Sequence, residues 1–136
     1  MAGAAVAGKK TVSRQKKILV VEDEPHIAKL VSFILEGAGY EVIQAYVGAE
    51  GIEKAQTEKP DLIVLDVMMP NLDGFQVAKM LTSDPTTKRI PIVMLSSKAQ
   101  FEDKMRGLES GAVDYITKPF EKEELLEKVK ECLEET

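Results

Sequence analysis

Apolar positions along this chain fall into two alternating rhythms. Some form short unbroken runs; others recur every three or four residues. ILVV (18–21), EVIQA (41–45), LIVL (62–65), IVML (92–95) and DYIT (114–117) read as strands. Unbroken apolar runs of this length suit strands covered on both faces. Between them, Pro25 to Glu36 sets Ile27, Leu30, Val31, Ile34 and Leu35 at helical spacing, with Gly37 and Gly39 to stop it. Ala49 to Lys59 is a modest helix with Ile52 and Ala55 facing inward. Gly74 to Leu81 brings Phe75, Val77, Ala78 and Leu81, and Asp73 sits where an N-cap belongs. Residues 99–110 form a helix with Phe101, Met105 and Leu108, ended near Gly111. Glu121 to Glu135 places Leu125, Leu126, Val129 and Leu133 on one stripe among acids and lysines.

Five strands alternating with five helices predict an α/β fold, a single doubly wound five-stranded parallel sheet with helices on both faces. Its crossovers are expected to be right-handed. Ligands of such sheets bind beyond the carboxyl ends of the strands, near the switch in strand order.

Composition narrows the class. The chain has 136 residues, 44% hydrophobic and 30% charged, the values of one ordinary globular domain. No apolar run approaches the roughly 20 residues of a membrane span. A single cysteine, Cys132, excludes an internal disulfide and suits a reducing cytosol, so a cytoplasmic location is expected. The opening MAGAAVAGKKTVSRQKK lacks periodicity, and its lysines follow its apolar stretch, the reverse of a signal peptide. A disordered tail over residues 1–16 and a folded domain over residues 17–136 are expected. Lys9, Lys10, Arg14, Lys16 and Lys17 make that opening basic, while the whole chain carries −5, so the rest is strongly acidic. An acidic body argues against nucleic acid as the direct ligand.

The strand ends carry the chemistry. ILVV runs into Glu22-Asp23, LIVL into Asp66, IVML into Ser96-Ser97 and DYIT into Lys118; only EVIQA delivers nothing polar, as expected of an edge strand. On one rim, three carboxylates, a hydroxyl and an ammonium would converge. Clustered acids repel one another unless a cation sits between them. A hard divalent cation with oxygen ligands, Mg²⁺ above all, meets that need. An Asp carboxylate can itself be a nucleophile and form an aspartyl-phosphate. Each residue alone is weak evidence, since an acid after a strand is more often a cap or a turn. Asp61, Asp84 and Asp114 read as turn or boundary residues, His26 as a surface residue, and Met68 and Met69 as packing.

Together, KILVVEDEP, DLIVLDVMMPNLDGF, IPIVMLSSKAQ and GAVDYITKPF resemble the receiver domain of two-component response regulators, in that family's order and spacing. The resemblance covers residues 17–136 and implies the flavodoxin-like strand order 2-1-3-4-5. It implies that Asp66 is the phosphoacceptor. Glu22, Asp23, Asp66 and the backbone carbonyl of Met68 would hold Mg²⁺. Lys118 would contact the phosphoryl group, Ser96 would be the switch hydroxyl and Tyr115 the aromatic switch residue. The Lys118–Pro119 bond is expected to be cis. Glu22 stands where Asp is frequent, and its longer arm could reach the metal through a water. Ser96 replaces a commoner Thr, and Met68 and Lys98 occupy positions that tune phosphoryl lifetime in relatives.

The implied partners are a histidine kinase or histidine phosphotransfer protein as donor, and a downstream effector or an output domain as receiver of the signal. Neither nucleic acid nor membrane is an expected direct partner. Ser96 is expected to move toward a new phosphoryl group and Tyr115 to follow inward, changing the helix 4–strand 5–helix 5 surface. This is a signalling domain rather than an enzyme acting on a separate substrate, although it could catalyse its own phosphorylation and dephosphorylation. The sequence stops after the fifth helix, as a stand-alone receiver or one excised from a longer regulator. A phosphate-independent binding module is the alternative; the retained acid set lowers it. A haloacid-dehalogenase-type phosphatase would need Asp where Met68 stands. A flavin carrier would need a Ser/Thr/Gly loop where EDEP follows the first strand.

Overall fold

The computed structural model describes residues 15–134. Five strands and five helices alternate along them: β1 Lys17–Val21, α1 Pro25–Gly37, β2 Glu41–Ala45, α2 Gly48–Glu58, β3 Leu62–Asp66, α3 Gly74–Ser83, β4 Ile92–Ser96, α4 Phe101–Glu109, β5 Asp114–Thr117 and α5 Lys122–Glu134. The strands form one parallel sheet in the order β2-β1-β3-β4-β5. The fold is therefore the doubly wound α/β sheet that the alternation predicts.

Side-chain alternation divides the core in two. Ile18, Val20, Leu62, Val64, Val93 and Leu95 point to the face covered by α1 and α5, where Val31, Leu35, Leu125 and Val129 pack. Leu19, Val21, Ile63, Leu65, Ile92 and Met94 point to the other face, against Ala55 of α2 and Phe75, Val77, Ala78 and Leu81 of α3. All five residues of β3 are buried, which explains why that segment shows no apolar–polar alternation.

Local signals set the helix ends. Pro25 opens α1, and the Glu24 carboxylate accepts the His26 N–H at 3.2 Å. Gly39, at φ 99°, takes a left-handed conformation just beyond that helix. Asp73 and Gln76 form a reciprocal capping box on α3, each side chain accepting the other's backbone N–H at 2.9 Å. The spacing predicts that α3 ends at Leu81, but it continues to Ser83. The Thr82 and Ser83 hydroxyls donate back to the Ala78 and Lys79 carbonyls at 2.8 Å, so neither pulls the backbone out of the helix.

Helix α4 is the one whose apolar residues do not form a core face. Phe101 is 73% exposed and Leu108 47%, with Met105 also open to solvent. Its buried residue is Gly107. The helix presents its smallest side toward the sheet because Tyr115 and Met94 already fill that space. Most of the tail expected over residues 1–16 lies outside the described residues; of the two that are described, Lys16 accepts the Glu41 N–H at 2.9 Å. Among the described residues, no helix is long and apolar enough to cross a membrane.

Candidate functional site

The register brings the strand ends together. Val21 of β1 pairs with Leu65 of β3 at the sheet centre, so the next residues, Glu22 and Asp66, emerge side by side. Both are buried, Glu22 at 2% exposure and Asp66 at 3%, and Asp23 beside them is half-buried. Carboxylate oxygens of Glu22, Asp23 and Asp66 lie within 4.8 Å of one another.

Lys118, arriving from the end of β5, is held between two of these acids. Its Nζ donates to Glu22 Oε1 at 2.9 Å and to Asp66 Oδ1 at 3.3 Å. The other Glu22 oxygen accepts the Glu24 N–H at 3.1 Å, and the Met68 N–H reaches Asp66 Oδ1 at 3.4 Å. The peptide bond between Lys118 and Pro119 is cis.

Charge and burial set the protonation of the site. Desolvation, then the charge of Glu22, raises Asp66 from the ordinary carboxylate range to about 7; Lys118 only partly opposes this. Burial disfavours the Lys118 ammonium, but the hydrogen bond to Glu22 and the charges of both acids outweigh it, and its pKa is raised. One lysine shared between two buried acids leaves Asp66 half-ionised near neutrality. A further cation beside Asp66 would relieve that repulsion, and three hard oxygen donors within one small space suit Mg²⁺. The donor set therefore fits the ion.

Ser96 and Tyr115 both hydrogen-bond to the backbone of Lys98, in the loop after β4. Ser96 ends β4 fully buried, and its Oγ accepts the Lys98 N–H at 3.1 Å. The Tyr115 hydroxyl donates to the Lys98 carbonyl at 2.8 Å. Burial raises the Tyr115 phenol, which keeps it a donor at neutral pH. The Tyr115 ring stands inward, 9% exposed. The Lys98 carbonyl and the open side of Gly107 give it a place there.

The loop after Asp66 is tight. The Gly74 N–H donates to the Val67 carbonyl at 2.8 Å, and a Cβ on Gly74 would stand 2.4 Å from the Asp66 carbonyl oxygen. Sequence reading treats Gly74 only as the first residue of a helix; its closeness to Asp66 is invisible without the fold. Arg106 of α4, stacked 4.3 Å over the Phe75 ring, is also missed, because no spacing rule links residues on separate helices. Gly107 had a signal, a lone glycine within a helical pattern.

The remaining candidates behave plainly. His26 is exposed. Asp61 accepts the Lys17 N–H at 2.8 Å, Asp84 the Thr86 N–H at 2.9 Å, and Asp114 pairs with Lys128 at 3.3 Å. Met69 packs in the core as expected, whereas Met68 is 52% exposed at the site's mouth, where the Ser97 hydroxyl approaches its sulfur at 3.5 Å.

Comparison with known proteins agrees with this architecture. The profile of the response regulator receiver domain matches residues 18–130. The DNA-binding dual master transcriptional regulator RpaA of Synechocystis is 48% identical over 120 residues, covering 88% of this chain and 50% of that protein. The chain thus spans about half the length of such curated relatives. Chemotaxis protein CheY4 of Vibrio cholerae superposes with a TM-score of 0.84 at 38% identity, covering 88% of this chain and all of that one (100%). The receiver domain of sensor histidine kinase PA1611 from Pseudomonas aeruginosa, solved with a magnesium ion coordinated in its active site cleft, superposes at 0.83 with 28% identity, covering 89% and 99%.

Proposed function

This chain belongs to the response regulator receiver-domain family, and on that premise we propose that Asp66 is the residue that accepts the phosphoryl group. The observation that carries this reading is the placing of Asp66: buried at the end of a central strand, beside two further acids and within 3.3 Å of Lys118. Rigid strands hold such a group better than loops do.

A response regulator takes its phosphoryl group from a histidine kinase or a histidine phosphotransfer protein and passes the signal to an effector. Here an Asp66 oxygen attacks the phosphorus of a phosphohistidine. The P–N bond breaks, and its electron pair and a proton end on the imidazole. Glu22, Asp23, Asp66 and the Met68 carbonyl would hold Mg²⁺, which when bound supplies positive charge to the transferring group. Lys118 exchanges part of its contact with Glu22 for a new phosphoryl oxygen, and Ser96 donates its hydroxyl to another. The same residues would direct a water in the slower loss of the group. Lys98, bonded to both Ser96 and Tyr115, passes the change to α4, β5 and α5. The reducing cytosol is the compartment we assign to this exchange.

The test is intact mass after incubation with Mg²⁺ and acetyl phosphate, beside Asp66→Asn. One base-labile phosphoryl adduct absent from the variant is the expected result. An adduct of equal yield on Asp66→Asn would remove Asp66 from the role. No adduct, together with no response to beryllium fluoride in Mg²⁺, would reject the reading altogether.

A further inference from the structure

Arg106 turns away from the acids of its own helix. Glu102 and Asp103 lie four and three residues before it, and Glu109 three after, all neighbours on the α4 surface. An acid four residues ahead is the favourable arrangement for a helical ion pair. Yet among the described residues Arg106 forms no ion pair. Its guanidinium lies instead over the Phe75 ring of α3, 4.3 Å from the ring centre. An exposed pair of opposite charges gains little in water, whereas a guanidinium on an aromatic face is attracted to the ring and also covers it.

The ring is a firm place of attachment. Phe75 is 4% exposed, although the arginine over it is open to solvent. It stands between Gly74, which packs on the Asp66 carbonyl, and Gln76, one half of the α3 capping box. Helix α4 needs such an attachment, because Phe101, Met105 and Leu108 stay in solvent and bind it to no neighbour. Its carboxyl end is held to α3 where the Thr82 hydroxyl donates to the Ser110 carbonyl at 3.2 Å. Arg106 adds a tie to α3 one turn nearer the start of the helix.

We infer that Arg106 is the positioning residue for α4: stacked on Phe75, it fastens the helix to the segment that follows Asp66. The charge and the ring act together, so neither keeps its effect without the other. The tie does not rest on Asp66 being the phosphoacceptor.

Amide hydrogen exchange of α4 reads the tie, in the full chain without phosphodonor or metal. Arg106→Met keeps a long side chain and removes the charge, Arg106→Lys keeps a charge, and Phe75→Leu keeps an apolar group and removes the ring. Arg106→Met should speed exchange over residues 101–109 about two- to fivefold, the range of an exposed cation–ring contact, and leave β1 and β3 unchanged. Arg106→Lys should restore part of the protection. Phe75→Leu should speed the same amides, and adding Arg106→Met to it should cause no further loss. Unchanged exchange in Arg106→Met overturns the inference, as does an equal loss in Arg106→Lys, or a full second loss on the Phe75→Leu background. If Phe75→Leu does not fold, the methionine and lysine variants decide alone: protection regained by lysine supports the tie, and none regained overturns it. Acetyl phosphate labelling of the parent is read separately, so failure to label Asp66 would count against the phosphoacceptor and not against the tie.

Discussion

Lys118 lies closer to Glu22 than to Asp66, at 2.9 Å against 3.3 Å. The lysine is therefore shared, with its shorter bond to the acid that is not the proposed nucleophile. Glu22 raises the Asp66 pKa and Lys118 lowers it, both after the larger effect of burial. Glu22→Gln is expected to bring the metal-free Asp66 titration down from about 7, and Lys118→Met to push it up. The carboxyl carbon shift of Asp66 followed by NMR reads both. Movement of the two variants in the same direction would contradict this account.

Stability should depend on pH through the same carboxyl. Asp66 titrates near 7 in the folded chain and near the ordinary 3.8 when unfolded. Between those values the folded chain holds a proton that the unfolded chain has lost. Without divalent cation, the contribution is full below about 3.8, declines as pH rises, and is gone once pH passes about 7. Urea unfolding at pH 5 and pH 8 should show the decline, and Asp66→Asn should flatten it. An equal slope in the variant would place the effect elsewhere.

Magnesium should act in the opposite sense. A metal ligand must be deprotonated, so Mg²⁺ affinity is expected to rise with pH up to about 7 and then level off, with proton release on binding below that point. Calorimetry in two buffers of different ionisation enthalpy measures the released proton. Affinity independent of pH from 5.5 to about 7 would count against Asp66 as a ligand.

Two glycines should respond in opposite ways to alanine. At Gly74 the added carbon meets the Asp66 carbonyl at 2.4 Å, and neither backbone segment can yield cheaply. A loss of about 3 kcal/mol is expected, the upper end for overpacking. At Gly37 nothing lies within 4 Å, and a gain of up to about 1 kcal/mol is expected from helix propensity. Chemical denaturation of both variants checks the contrast.

Leucines on two helices should also differ. Leu125 of α5 is fully buried, and Leu125→Ala should cost about 2–5 kcal/mol. Leu108 of α4 is half open, and Leu108→Ala should change stability by no more than about 0.5 kcal/mol. A large loss at Leu108 would mean that α4 packs by its apolar residues after all.

The sequence by itself determined the sheet, its helices and the residues delivered to its rim. Runs such as ILVV and LIVL are legible because strands covered on both faces need no polar alternation. Glu22, Asp66, Ser96 and Lys118 are legible because parallel strands end on one side. Tertiary structure alone decided how those groups share charge, since Lys118 and Glu22 are 96 residues apart and their meeting depends on strand register. It also decided which side of α4 faces inward. Helical spacing marks Phe101, Met105 and Leu108 as one apolar group but carries no information about what already occupies the sheet. Tyr115 and Met94 occupy it, and only Gly107 is small enough to come against them.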